Sequence, residues 1–193
     1  MQNNKAVINF VVSLLKDKLN KFYYYHNVEH TLYVMQKAIE IGHYQKCTAA
    51  EIDLLAVAGL WHDTGFINTY SGHEEAGCKL AKKHLPQFGY KEEAIKKICG
   101  MIMATKVPQL PKNKLEEIVA DADLEYLGTA AAIKKANKLF KELKYINPLL
   151  TKRQWHKIQI KFLNQHHYFT PYCKKNIEPA KQAYLKQLIQ IAE

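Results

Sequence analysis

Apolar side chains recur along the chain at helical intervals. Val7, Ile8, Val11, Val12, Leu14, Leu15 and Leu19 form one stripe over residues 5–20, the spacing with which a helix buries one face. Strand-like alternation is absent. A Tyr-rich link, residues 21–26, leads to Asn27, which reads as the N-cap of a second helix running to about Ile41 and stopping at Gly42. Thr48 and Glu51 have the spacing of a capping box ahead of a third helix. From Leu54 to Trp61 that helix is apolar on nearly every side, which places it at the centre of the fold. Its end, Leu60-Trp61-His62-Asp63-Thr64-Gly65, delivers two metal-binding side chains where a buried helix runs out.

After a short loop, residues 66–72, His73 opens a fourth helix that reaches about Leu85. A fifth covers about residues 91–104, and a proline-bounded loop, 107–111, follows it. The sixth runs from Asn113 to about Leu127, the seventh over 129–145 and the eighth over about 151–167. Thr170-Pro171-Tyr172 breaks the chain before a ninth helix at about 176–191. The pattern predicts an all-α bundle of about nine helices. No repeat, low-complexity segment or linker divides it, so residues 1–193 are expected to form one domain.

Composition adds little to that picture, but charge does. The apolar fraction of 48% and charged fraction of 24% are those of a globular protein. No apolar run approaches the ~20 residues of a membrane span. Met1-Gln2-Asn3-Asn4-Lys5 does not open a secretory signal, so a cytoplasmic protein is expected. Cys47, Cys78, Cys99 and Cys173 form no CxxC pair and read as free thiols. Residues 1–128 hold 15 lysines and 15 acids, whereas residues 129–193 hold 12 lysines, Arg153 and only Glu142, Glu178 and Glu193. The whole net charge of +10 therefore lies in the last third. Such a field is either a set of solvated helix faces or a means of attracting an anionic substrate. Arg153 is the only arginine, which argues against a nucleic-acid reader, because arginine dominates bidentate phosphate and base contacts.

Among nine histidines, what stands out is an order of residue types. His30 comes first, then His62-Asp63, then the acidic pair Asp121/Asp123. Two imidazoles with two carboxylates form a mixed nitrogen and oxygen shell that suits Mn, Fe, Ni, Zn or Mg. Leu115, Ile118, Val119, Ala122 and Tyr126 make the apolar stripe of the sixth helix. At 100° per residue, Asp123 lies about 80° from the centre of that stripe and Asp121 about 120°. Asp123 is thus the better placed of the two to face the interior, while an exposed acidic turn is the alternative for both. His26-Asn27-Val28-Glu29-His30 also fits H-x-x-E-H, the inverted zinc-protease pattern. Asn27 as a cap would leave His26 outside the helix, and that reading gives His62-Asp63 no role. Glu29 then serves as a partner for a ligand histidine, and His26 as a structural or substrate-facing group.

The order H…HD…D resembles the signature of the HD superfamily of metal-dependent phosphohydrolases. The resemblance runs through His26-Asn27-Val28-Glu29-His30, Leu60-Trp61-His62-Asp63-Thr64-Gly65, His73-Glu74-Glu75-Ala76 and Asp121-Ala122-Asp123-Leu124, about residues 22–128. Residues 129–193 then read as a basic helical extension. Its run Phe162-Leu163…His167-Tyr168-Phe169-Thr170 is similar to the tail of small, uncharacterised bacterial members. The resemblance implies an all-α bundle holding a divalent metal on His30, His62, Asp63 and Asp123, with His73 and Glu74 acting on the substrate phosphate, on a second metal or as acid and base. Ala104-Thr105-Lys106 stands where the family often has a further histidine, which weakens a full second metal site. The HD-GYP pattern of cyclic-dinucleotide phosphodiesterases and the HDxxED pattern of alarmone hydrolases are both missing.

The expected function is hydrolysis of a phosphoester or phosphoanhydride, through water activated by the metal and Asp63. The expected substrate is a nucleotide or another small anionic phosphorylated compound. Lysines and His166/His167 of the basic last third are expected to clamp its anionic end. A non-catalytic metal- or nucleotide-binding helical module is the alternative.

Overall fold

A computed structural model describes residues 2–192, with side chains from residue 5 to residue 191. Met1, where the N-terminal stretch read above begins, and Glu193 lie outside the described residues. Ten α-helices follow in order: α1 (Gln2–Lys18), α2 (Val28–Tyr44), α3 (Ala49–Trp61), α4 (His73–His84), α5 (Glu92–Ala104), α6 (Lys114–Leu124), α7 (Ala132–Ile146), α8 (Lys152–Gln165), α9 (Pro171–Asn176) and α10 (Glu178–Ala192). Short 3-10 turns at Thr64–Ile67, Leu85–Phe88 and Glu125–Gly128 join some of them. There is no strand among the described residues, and the fold is all-α as expected. No helix among them is long and apolar enough to cross a membrane.

The greasy α3 is the axis. Residues 55–61 are all buried, and the helix packs against α1, α2, α5 and α6. Each large apolar side chain taken from water there contributes about 1.5–3 kcal/mol. Its start is set by a reciprocal cap: Thr48 Oγ1 accepts from the Glu51 N–H, and Glu51 Oε2 accepts from the Thr48 N–H at 2.8 Å. Asn27 caps α2 in the same manner, accepting from the backbone N–H groups of Glu29 and His30. That bond fixes the first turn of α2 and hence the direction of His30.

Two boundaries differ from the pattern-based reading. Helix α2 does not stop at Gly42 but runs on to Tyr44. The glycine serves a close approach instead: a Cβ there would come within 2.7 Å of the ends of Ile52 and Leu55 on α3. The second difference is at residues 170–172, where the chain starts a helix rather than breaking one. Thr170 caps α9 by accepting from the Cys173 N–H, and Pro171 occupies the first turn, where no N–H is needed.

The last third folds back over the end of the bundle where α3 and α6 finish. Leu124, Tyr126, Leu127, Leu163, Leu185 and Leu188 form a second apolar cluster with Tyr25. Helices α7, α8 and α10 thus roof the region above α6, with most of their lysines turned to solvent.

Candidate functional site

Three helix ends converge below that roof. His30 comes from the first turn of α2, His62 and Asp63 from the exit of α3, and Asp123 from the last turn of α6. His30 Nε2 lies 3.1 Å from Asp123 Oδ1 and 3.5 Å from Asp63 Oδ2. His62 Nε2 lies 3.0 Å from Asp63 Oδ2 and 3.6 Å from Asp123 Oδ1. One ligand atom each from His30, His62 and Asp123 falls within a 4.8 Å span.

These four side chains fit a divalent cation. His62 Nδ1 donates to the Gly59 carbonyl at 2.7 Å, which commits the proton to that nitrogen and leaves Nε2 with a lone pair. His62 Nε2 and Asp63 Oδ2 are nevertheless buried without a hydrogen bond, although they face one another. Unmet buried groups of this kind are costly unless something else satisfies them. Burial lowers the pKa of His30. It acts in the same sense on His62, but Asp63 and Asp123 outweigh it there and raise the pKa. Burial alone would raise both carboxylates; the facing histidines reverse this and hold Asp63 and Asp123 well below the usual range. The deprotonated carboxylates that a cation requires are thus favoured.

Beside the cluster, α4 begins with His73 and Glu74. The chain turns there because Gly65 and α4 touch: a Cβ on Gly65 would sit 1.8 Å from the His73 carbonyl oxygen. Only glycine allows that contact, and it sets His73 against Asp63. His73 Nδ1 donates to the Tyr70 carbonyl at 3.1 Å. Its Nε2 is 3.7 Å from Asp63 Oδ1 and 3.5 Å from Glu74 Oε1. Glu74 itself is buried.

His26 lies outside α2, as the Asn27 cap requires, and lines the cleft rather than sharing a helical face with His30. The ring of Phe66 stacks on both His26 and His73, at 4.2 and 3.8 Å between centroids, and the two histidine rings lie 6.2 Å apart. Glu29 is not a partner of a ligand histidine. Its exposed carboxylate pairs with Lys138 at 2.7 Å. The inverted zinc-protease geometry is therefore absent.

Asp121 and Asp123 have separate tasks. Asp121 is fully buried, contrary to an exposed acidic turn, and accepts from the N–H groups of Phe169 and Thr170 at 2.9 and 2.8 Å and from Thr170 Oγ1 at 2.6 Å. It anchors the chain before α9, away from the cluster.

From the cluster a cleft of about 630 Å³ extends under the roof. Its near end holds His26, Asp63, His73, Glu74 and Asp123, and its far end Leu139, Leu143, Trp155, Phe162 and Tyr184. The basic last third does not deliver the expected clamp. Lys106 is the one lysine among the described residues lining the cleft, and no His166 or His167 side chain reaches it. His166 instead receives Lys181 Nζ, at 3.3 Å from its Nδ1. The last third supplies mostly carbon to the cleft, with Gln159 and Tyr184 as its polar groups.

One acid of the last third, Glu142 on α7, holds His26 without lining the cleft itself, and it escaped the sequence reading. It is fully buried and accepts from the Tyr25 N–H at 2.9 Å, the His26 N–H at 3.1 Å, the Tyr70 hydroxyl at 3.3 Å and His26 Nδ1. The His26 ring is thereby held with Nε2 free, and its pKa is raised; burial opposes this but the Glu142 contact prevails. The signal was present: a single acid among five lysines of α7, three residues after Leu139 on the apolar face.

The HD domain family model matches residues 27–125. No curated protein matches the chain. Among solved structures, a predicted HD superfamily hydrolase from an uncultured Thermotogales bacterium is similar over 97% of this chain and 89% of its own, with TM-score 0.65 and 20% identity. YpgQ from Bacillus subtilis, solved in complex with ADP, is similar over 98% of this chain and 95% of its own, with TM-score 0.67 and 18% identity. At those identities the two structures speak for the fold, while the family match takes in His30, His62, Asp63 and Asp123 together. The chain belongs to the HD domain family, whose members bind divalent metals and include hydrolases.

Proposed function

We propose that the protein is a metal-dependent phosphohydrolase acting on a nucleotide or a similar small phosphorylated compound. The observation that carries this reading is the opening of the His30/His62/Asp63/Asp123 cluster into a cleft, beside His73 and Glu74. Those four residues would hold the cation, with Mn, Fe, Ni, Zn and Mg all compatible with the donor set. When bound, such an ion acidifies water and offsets charge on phosphoryl oxygens.

Asp63 spans two environments. Oδ2 faces the ligand histidines, and Oδ1 faces His73 at the cleft. From there Oδ1 orients the attacking water and takes its proton. His73, its Nδ1 committed to Tyr70, directs Nε2 into the cleft and protonates the leaving oxygen or donates to the phosphate. Glu74 holds the His73 ring from the other side. His26 Nε2, oriented by Glu142, offers a further hydrogen bond to a phosphate oxygen. Among the described residues, Lys106 is the one lysine lining the cleft, and its ammonium pairs with Glu75. The carbon-lined far end accommodates a base, and Gln159 and Tyr184, joined by a 3.0 Å hydrogen bond, present polar atoms there. The ADP bound by YpgQ supports a nucleotide.

The test is elemental analysis of the purified protein, followed by phosphate release from a panel of nucleotides and phosphorylated metabolites with each divalent metal in turn. Turnover that disappears in Asp63→Ala is expected. A protein that binds metal and nucleotide but stays inert across metals and panel is a binding module, and the hydrolase reading fails.

A further inference from the structure

Away from the cleft, on the far side of α4, two thiols face one another. Cys78 lies on α4 and Cys99 on α5. Cys78 Sγ is 3.5 Å from the Cys99 carbonyl oxygen, and Cys99 Sγ is 3.8 Å from the Cys78 carbonyl oxygen. This reciprocal arrangement sets the sulfurs side by side in the seam between the helices.

Lysines outnumber acids around the pair, where Glu75, Glu92 and Glu116 are the acids. Cys99 borders two surface grooves, of about 760 and 650 Å³, and Lys82 borders both. Cys78, Lys79, Lys106 and Lys112 line the first, and Lys96 the second. Both cysteines are buried, but the two grooves bring solvent up to Cys99. The adjacent Cys78 thiol, together with Lys82, holds the Cys99 thiol below its ordinary range, while Cys78 is held above it. One sulfur is thus disposed to act as thiolate and the other to stay protonated. Burial pushes both other thiols, Cys47 and Cys173, upward instead.

We propose that Cys78 and Cys99 form a dithiol which a peroxide oxidises to an intramolecular disulfide. The Cys99 thiolate attacks one peroxide oxygen; the S–O bond forms, the O–O bond breaks and hydroxide leaves, giving Cys99 sulfenic acid. The Cys78 sulfur then attacks the Cys99 sulfur. The S–S bond forms, the S–O bond breaks, and the thiol proton leaves with the hydroxyl as water. Two electrons pass from the two sulfurs to the peroxide. The bridge ties α4, which begins with His73 and Glu74, to α5, which leads into Thr105 on the cleft wall.

Full-length protein is titrated with hydrogen peroxide, alkylated and weighed intact. Wild type is expected to lose two hydrogens, to give a linked Cys78–Cys99 peptide and to recover on adding dithiothreitol. Cys47 and Cys173 should remain alkylatable, with rates at least about tenfold slower than that of Cys99. Cys78→Ser should stop at a Cys99 sulfenic acid that dimedone traps, and Cys99→Ser should stay reduced at the same dose. Circular dichroism and Tm of both variants establish that they are folded. Sulfenic acid persisting at Cys99 of wild type without a disulfide, or equal oxidation of Cys99→Ser, overturns the proposal.

Discussion

Asp121 and Asp123 leave the last turn of α6 in opposite senses: Asp123 meets His30 and His62, and Asp121 meets the backbone of Phe169 and Thr170. Two carboxylates two residues apart therefore serve different ends. Asp123→Ala should leave a folded protein without its metal. Asp121→Ala should keep the metal stoichiometry in its folded fraction but lose about 3 kcal/mol, because buried donors lose a charged acceptor. Elemental analysis combined with urea unfolding separates the two. Equal metal loss in both variants would contradict the division.

Buried, unpartnered His62 Nε2 and Asp63 Oδ2 predict a large thermal response to metal. At a free Mn²⁺ concentration about 100-fold above its Kd, wild type should gain about 2.7 kcal/mol. That gain raises Tm by several degrees in a chain of this size. His62→Ala and Asp63→Ala should show almost no rise in calorimetry.

Glu142 gathers three elements around one carboxylate: the link before α2, the loop before α4 and α7 itself. Glu142→Gln keeps the shape but sets an amide N–H against donors that had an acceptor. A stability loss of about 2 kcal/mol is expected. Because the His26 ring is then no longer held at the cleft, kcat/KM should also fall roughly tenfold. Rates that match wild type would remove His26 from the substrate's surroundings.

Acid stability should depend on His166, pushed down to about 4 by burial and by the neighbouring Lys181. The unfolded chain takes up this proton near pH 6.5, and the folded chain only near 4. Between those values acid favours the unfolded state, so stability is present in full above about pH 6.5 and falls as the pH drops toward 4. For a half-buried group the loss is about 1–3 kcal/mol. His166→Asn should flatten this limb of the stability profile measured by thermal unfolding, and an unchanged slope would reject the assignment.

Much of this arrangement was legible in the chain. The Thr48 cap and the all-apolar run to Trp61 gave the central helix, and the Asn27 cap gave one of its neighbours. Helical phase favoured Asp123 over Asp121 as the residue facing the histidines, but it misjudged the burial of Asp121. The phase of α6 carries no information about α9, some fifty residues on, which covers the other face. Glu29 and the basic last third were misread for a related reason. Charge along a sequence says nothing about which side of a helix meets solvent, and here α7 and α8 turn carbon inward and ammonium outward. Glu142 could be found only by noticing one acid on an apolar stripe. The partners of Cys78 and Cys99, twenty-one residues apart, could not be read from spacing at all.

The carbon-lined far end of the cleft gives ligand binding a calorimetric character. A ligand that fills the space between Leu139, Trp155 and Phe162 removes apolar surface from water, and such burial carries a negative heat-capacity change. Affinity for the uncharged part of the molecule then varies with temperature far more than with ionic strength, since almost no fixed charge lies there to be screened. Inorganic phosphate, which reaches only the histidine end, would lack that signature. In the proposed reaction, selectivity among substrates sharing one phosphate group would be set at the end of the cleft where no bond is broken.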